Sequence, residues 1–364
     1  MKIIHISDLH IDSKMETNFS PQKARERNNE ILVSFERLFT IMETQNYDAM
    51  IIAGDMFDTK KATSKSFSYI LELILRHPTK MFFYVAGNHD NESLLINSVD
   101  NLPKNLIIFN SSFSKHKLSK LITIGGIQVT KSNVDSLGNQ LSFNFDDINI
   151  LVLHGNLTKT SSKVDDENIS IDELKNKNID YLALGHIHSY SSGKIDSRCQ
   201  YAYSGCLEPR GFDEFGDKGF ISIEIDEKNK KVTHQFIPHA MRKFIEVTVD
   251  ITGKNNPKQI LDTTLESLSQ ISEKNIVKVT LIGEYDEYTV KGLDLIQSEL
   301  SNKFYFVKVQ DKTKLKISLD DYKGSLTLKS IFIKKVLESK KIPAELKDDI
   351  IITGIKALEK EEID

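Results

Sequence analysis

Ile3-Ile4-His5-Ile6-Ser7-Asp8-Leu9-His10 opens the chain as an apolar run of strand length that ends abruptly in Asp-x-His. The same grammar recurs twice within ninety residues. Asp48 to Ala53 is a second such run, closed by Gly54-Asp55-Met56-Phe57-Asp58, and Lys80 to Ala86 is a third, closed by Gly87-Asn88-His89-Asp90. Between the first two, about Pro21 to Thr44 reads as a helix, with Ile31, Leu32, Phe35, Leu38, Phe39 and Met42 at the 3.6-residue period and Pro21 in its first turn. Residues 64–77 read as another helix, stopped by Pro78. Strand, helix, strand, helix, strand predicts a layered α/β unit with right-handed crossovers. In such sheets ligands gather at the carboxyl ends of the strands, which is where these polar clusters lie.

Two more clusters follow, His154-Gly155 after Ile148–Leu153, and Gly185-His186-Ile187-His188 after Asp180–Leu184. Further strand-like runs are Leu106–Phe109, Leu121–Ile124, Ile127–Thr130, Tyr201–Tyr203, Phe220–Ile225 and Lys231–Ile237, and the polar stretch 156–170 reads as a flexible excursion beside the site. A second unit starts near Arg242. There Phe244–Ile251, Ile276–Ile282 and Phe304–Val309 read as strands separated by helices at about 257–272 and 289–302. The sequence therefore divides into a core over 1–240, a small α/β domain over 241–310, a Lys- and Asp-rich linker over 311–324 and a helical tail over 325–364. Leu328, Ile331, Phe332 and Lys335, then Leu346, Ile350 and Leu358, form incomplete apolar stripes in two tail helices split at Pro343. The acidic ending Glu359 to Asp364 reads as a solvated, frayed terminus.

The composition, 39% apolar and 27% charged over 364 residues, is that of a multidomain globular protein. No stretch approaches the ~20 apolar residues that span a bilayer. The opening run breaks too early for a secretory signal, and Cys199 and Cys206 alone make no disulfide framework, so a reducing cytoplasm is expected. With a net charge of −4 the chain is not drawn to nucleic acid by its overall field; a local patch, bound metals or a basic partner would have to supply that attraction.

The clusters supply Asp, His and Asn, the ligands of a two-metal hydrolase. Asp55, on the central strand of the three, is the expected bridging carboxylate. Asp8, His10 and His188 complete one metal, and Asn88, His154 and His186 the other. Two divalent ions bring four positive charges and Asp8 with Asp55 return two, so the residual positive charge favours an anionic phosphodiester and its transition state. Imidazole mixed with carboxylate suits Mn²⁺, Fe²⁺ or Zn²⁺ better than Mg²⁺ or Ca²⁺, and Mn²⁺ is the expected ion. The nucleophile is then a water activated by the metals. His89 is placed to protonate the leaving oxygen, with Asp90 orienting it. Each cluster alone reads equally well as a surface pair or a turn; all of them after strands, in this order, do not. His5, His77, His116, His234 and His239 lack that context and read as ordinary histidines.

The set resembles the calcineurin-like metallophosphoesterase superfamily, whose blocks run Asp-x-His, Gly-Asp, Gly-Asn-His-(Asp/Glu), His and Gly-His-x-His. His5 to His10, Ala53 to Thr59, Tyr181 to His188 and Tyr203 to Phe212 with Gly216 to Phe220 are similar, more narrowly, to bacterial SbcD/Mre-type nuclease subunits. The resemblance implies a four-layer α/β sandwich of two central sheets flanked by helices, with a small C-terminal α/β cap domain and a helical tail. It implies a Mn-dependent DNA exo/endonuclease of a repair complex, working with an SMC-like ABC ATPase of SbcC type, whose coiled coil the tail holds. Asp58 stands where some relatives place a second histidine, on the substrate side. A homodimer is expected through the 64–77 helix and the 91–104 region. The rival readings are a phosphodiesterase of small molecules or cyclic nucleotides, and a non-catalytic scaffold that docks an ATPase.

Overall fold

The computed structural model describes residues 1–15, 19–58, 64–90, 102–159, 167–286, 289–316 and 327–359. It divides into two units, Met1–Phe244 and Ile245–Asp364.

The first unit is built on two six-stranded sheets. In chain order its strands are β1 (Lys2–Ile6), β2 (Ala49–Ala53), β3 (Met81–Val85), β4 (Leu106–Phe109), β5 (Ser114–Lys117), β6 (Ile122–Gly126), β7 (Ile148–His154), β8 (Asn156–Thr158), β9 (Asn168–Ser170), β10 (Tyr181–Gly185), β11 (Ser191–Lys194), β12 (Gln200–Tyr203), β13 (Gly219–Asp226) and β14 (Lys231–Pro238). One sheet runs β14-β13-β1-β2-β3-β4, the other β11-β12-β10-β7-β6-β5. Strands β1 to β4 are mutually parallel, as are β6, β7, β10 and β12, while β13, β14, β5 and β11 pair antiparallel at the edges.

Alternation along each strand sorts side chains into layers. Ile51, Phe83, Val85, Ile150, Val152, Tyr181 and Ala183 fill the space between the sheets. Their neighbours Leu151, Leu153, Leu182 and Leu184 face the other way, onto Leu137 and Leu174 in two short helical turns. On the first sheet Phe82 stacks against Phe39 of helix α1 (Pro21–Thr44) at 5.6 Å between ring centres. The result is the expected four-layer α/β sandwich. Both faces of each sheet are covered, which is why the strands read as continuous apolar runs rather than alternating ones.

Helix α1 begins where Ser20 caps the Lys23 amide and Pro21 occupies the first turn, and its buried stripe is Ile31, Phe35, Leu38, Phe39 and Met42. It also carries a buried polar patch. Arg27 bonds Glu30, Glu208 (Nη2 to Oε2, 3.2 Å) and the Pro209 carbonyl (2.8 Å), and the Ser34 hydroxyl donates to Glu208 Oε1 at 2.5 Å. The loop after β12 is thereby tied to the helix. Helix α2 (Ser64–Leu75) stops short of Pro78.

One expected strand fails for a physical reason. Ile127–Thr130 is a loop, because the buried Asn133 side chain takes over its backbone: Oδ1 accepts from Thr130 N, and Nδ2 donates to the Gln128 and Ser111 carbonyls. The expected excursion at 156–170 pairs its two ends as β8 and β9, while residues 160–166 lie outside the described residues.

The second unit contains β15 (Phe244–Asp250), which begins at the unit boundary, then α3 (Pro257–Ser267), β16 (Ile276–Ile282), β17 (Glu284–Tyr285), α4 (Leu293–Lys303), β18 (Phe306–Asp311) and β19 (Lys314–Leu315). Its core is Val249, Ile251, Ile260, Val277, Val279, Leu281, Ile296, Leu300, Phe304 and Val307. The stretch expected as a linker over 311–324 instead supplies the end of β18 and the β19 strand that pairs with β17; residues 317–326 lie outside the described residues. Helices α5 (Leu328–Glu338) and α6 (Ala344–Glu359) pack through Ile333, Val336, Ile351 and Ile355, and leave Leu328, Ile331, Leu346, Ile350 and Leu358 exposed. The 360–364 tip and the 91–101 part of the expected dimer surface lie outside the described residues. Among the described residues no helix is long and apolar enough to cross a membrane.

Candidate metal centre

The ends of β1, β2 and β3 in one sheet meet the ends of β7 and β10 in the other. Just past its strand each chain segment turns sharply. Asp8 (φ 53°), His10 (φ 45°), Asp55 (φ 50°) and His186 (φ 103°) all lie in the left-handed region although none is glycine. Each such residue costs on the order of 1–3 kcal/mol and persists only where its surroundings impose it. Here the segment after β1 runs alongside the one after β2, with Asp8 N bonded to Gly54 O, His10 N to Asp55 O and Ile11 N to Met56 O, each at 3.0 Å. Gly185 is required by close approach: a Cβ there would overlap the Ala53 carbonyl oxygen and stand 2.7 Å from Ser7 Cβ.

The side chains delivered by these turns converge. His10 Nε2 lies 3.2 Å from His188 Nε2 and 3.6 Å from Asp55 Oδ2, and His188 Nε2 is 3.9 Å from Asp8 Oδ1. On the other side His154 Nε2 lies 3.4 Å from the same Asp55 Oδ2 and 3.1 Å from Asn88 Oδ1. The His186 ring stands edge-on to His154 with centres 5.5 Å apart. Asp55 is thus common to both groups. Asp8, His10 and His188 form one set of mutually close ligand atoms, and Asp8, Asp55 and His154 another.

The tautomers follow from the acceptors behind the rings. His154 Nδ1 donates to the Ala53 carbonyl at 2.9 Å, and His188 Nδ1 donates to Glu214 Oε1 at 2.7 Å. Neither acceptor can donate, so both rings carry a proton on Nδ1 and, when neutral, turn a bare Nε2 lone pair inward. His154 Nε2 then faces two oxygens that also carry lone pairs, an arrangement that repels unless a cation sits among them. Electrostatics agrees. Burial works against charge on His154, but ionised Asp55 more than offsets it and lifts the pKa to about 9, so in the metal-free chain a proton takes the cation's place. Burial raises Asp55 too, yet the His154 hydrogen bond and charge bring it below the ordinary range. For His10, burial and the Arg210 charge lower the pKa to about 3, which leaves a neutral ligand imidazole, and its buried Nδ1 has no partner among the described residues. This donor set fits two divalent cations.

The proton-handling residues divide differently from the sequence expectation. His89 lies beside His10, ring centres 5.0 Å apart, and its Nδ1 faces Asp58 Oδ1 at 3.5 Å. That carboxylate, against a smaller burial effect, raises the His89 pKa. Asp90, expected to orient His89, turns inward and accepts from Gly87 N (2.8 Å) and Phe57 N (2.9 Å). Its place right after His89 in a tight turn points it to the opposite side, so it braces the loop while Asp58 is the carboxylate that faces His89. Burial, with Asp55 adding to it, pushes Asp90 up to about 6.

Three neighbours escape the sequence reading. Glu214 and Arg210 stand behind His188, and Glu167 Oε2 lies 3.5 Å from His186 Nδ1. Nothing in local spacing flags them, since each reaches the centre from a loop remote in sequence. The five histidines outside the clusters stay outside the site; His5, for one, is buried and bonded to the Tyr181 hydroxyl. Both cysteines are buried free thiols.

A sequence model described as calcineurin-like phosphoesterase matches residues 1–190. The chain is 22% identical over 354 residues to the uncharacterized metallophosphoesterase YhaO of Bacillus subtilis, covering 90% of this chain and 86% of that one. It is 23% identical over 328 residues to the DNA double-strand break repair protein Mre11 of Methanosarcina acetivorans, covering 85% of this chain but 50% of that one, so it spans about half of that relative's length. It is 23% identical over 282 residues to the SbcD component of the SbcCD nuclease of Staphylococcus epidermidis, covering 68% of this chain and 72% of that one.

Proposed function

The chain belongs to the calcineurin-like phosphoesterase family, and on that premise we propose that it is a metal-dependent DNA exo/endonuclease, the nuclease subunit of an SbcCD-like repair complex. One observation carries the choice of DNA. The similarity to the Mre11 relative covers 85% of the chain and so runs past residues 1–190 into the second unit, which carries none of the expected metal ligands. A lone phosphatase has little need of that unit.

Two bound cations, with Mn²⁺ the preferred pair, would activate water and clamp the attacking and leaving oxygens of the phosphodiester. Asp55 would hold both; Asp8, His10 and His188 would complete one position, and Asn88, His154 and His186 the other. His89, whose pKa Asp58 raises, delivers the proton to the leaving oxygen. Asp58 is placed to meet the substrate from the same side, and Asp90 keeps the Gly87–Asp90 turn rigid. The exposed apolar residues of α5 and α6 hold the coiled coil of an SMC-like ATPase. A homodimer in the cytoplasm completes the reading.

End-labelled duplex DNA, a cyclic nucleotide and a generic phosphodiester, offered side by side with Mn²⁺ to the purified protein, test it. The proposal expects metal-dependent cleavage of DNA, and His89→Gln to slow it by about 10²–10⁴-fold. Hydrolysis confined to the small esters would favour the small-molecule reading instead. Deleting residues 325–364 is expected to release the ATPase and leave the generic ester's hydrolysis unchanged; unaltered co-purification would rule out the tail's role.

A further inference from the structure

The two ion positions have different supports. Behind His154 stands a neutral backbone carbonyl, that of Ala53. Behind His188 stands a carboxylate, Glu214, whose residue is only 5% exposed. Glu214 is itself gripped by Arg210 through the backbone N (Oε2, 2.6 Å), Nε (Oε1, 3.3 Å) and Nη2 (Oε1, 2.9 Å). Arg210 Nη2 also lies 3.1 Å from His188 Nδ1, because ring and guanidinium converge on the same oxygen. The loop that presents this pair is fixed from behind by Glu208, held by Arg27 and Ser34 of α1 and by Met241 N.

The His188 backbone is anchored independently. Its carbonyl accepts from Lys218 Nζ at 2.7 Å, a lysine only 2% exposed, and from Cys206 N at 3.4 Å. Removing Glu214 would therefore free the ring without releasing the strand end that carries it. A carboxylate on the far nitrogen of a ligand histidine fixes its tautomer and raises its basicity, effects a backbone carbonyl supplies more weakly.

We infer that Glu214 is a positioning residue that makes the ion of the Asp8–His10–His188 position separately tunable, while the ion of the Asn88–His154–His186 position does not depend on it. Glu214 selects Nε2 as the ligand atom of His188 and fixes the orientation of the ring, and Arg210 holds Glu214. This rests on the two-metal reading of the centre and deepens it, without depending on DNA as the substrate.

The test is a Mn²⁺ titration of the metal-free full-length protein, followed by calorimetry and by loss of the free-Mn²⁺ paramagnetic signal, on the parent, Glu214→Gln and Glu214→Ala. Gln keeps an acceptor oxygen for His188 without the charge; Ala keeps neither. The expected result is two ions in the parent and one of the two weakened by about 10–100-fold in the variants. The other ion should stay within about twofold, with Ala worse than Gln. A residue that merely supported the fold would weaken both ions together. Equal loss of both, or no loss of either, overturns the inference. If Glu214→Ala does not fold, Glu214→Gln alone decides by the same criterion. A parent chain that bound no pair of ions would instead overturn the two-metal reading itself.

Discussion

Gly185→Ala perturbs the point where the two sheets touch beneath the centre. The added methyl would overlap the Ala53 carbonyl oxygen, stand 2.7 Å from Ser7 Cβ and 2.8 Å from His154 Nδ1. None of these is the free end of a flexible chain: one is a strand backbone, one precedes Asp8, and one belongs to an oriented imidazole. Overpacking of this kind costs about 1–3 kcal/mol. Displacing the Ala53 carbonyl also loosens the His154 Nδ1 hydrogen bond it accepts, about 1 kcal/mol more. The sum, about 2–4 kcal/mol, is a large part of the roughly 5–15 kcal/mol that holds a domain. With a urea slope of about 3 kcal/mol per M, the unfolding midpoint should fall by about 1 M. Hydrolysis should suffer beyond the loss of folded protein, because a shift on the order of 1 Å in a catalytic constellation costs about 100-fold. The assay is urea unfolding of the first unit, followed by Mn-dependent turnover of a generic phosphodiester where the variant is fully folded. A variant whose midpoint and turnover match the parent would refute the claim that sheet contact at Gly185 sets the geometry of the site.

Two further outcomes follow from the titrating groups. Asp58 is the largest cause that raises the His89 pKa; a proton donor works below its pKa, so Asp58→Asn should move the alkaline limb of the pH–rate profile to lower pH, and an unmoved limb would remove Asp58 from that role. Asp90 has its folded-state pKa raised to about 6, so the folded chain binds that proton more tightly than the unfolded one, and stability falls as pH rises from the ordinary aspartate range toward 6. Asp90→Asn should cancel that slope in urea midpoints measured with a chelator present, and parallel curves for variant and parent would contradict it.

The polar clusters were readable because they lie at or just past the ends of β1, β2, β3, β7 and β10, so the local pattern alone puts them at one edge of the sheets. The long helix α1 was equally open to reading, since its cap, first-turn proline and apolar stripe agree. What stayed hidden depends on partners remote in the chain. β5 (Ser114–Lys117) and β11 (Ser191–Lys194) are polar edge strands whose pairing is imposed by β6 and β12. Ile127–Thr130 has the composition of a strand, but the Asn133 side chain takes its hydrogen bonds. Asp90 looks like a partner for its neighbour His89 until the turn sends the two side chains apart. Glu214 sits 26 residues beyond His188, and only the fold brings them together.

The shared place of Asp55 Oδ2, 3.6 Å from His10 and 3.4 Å from His154, is the hinge of the whole reading. The most direct measurement is the paramagnetic spectrum of the Mn-loaded protein beside that of Asp55→Ala. The two-cation centre predicts an exchange-coupled pair in the parent and the loss of both ions in the variant. Two ions retained without Asp55, or an uncoupled single ion in the parent, would contradict it.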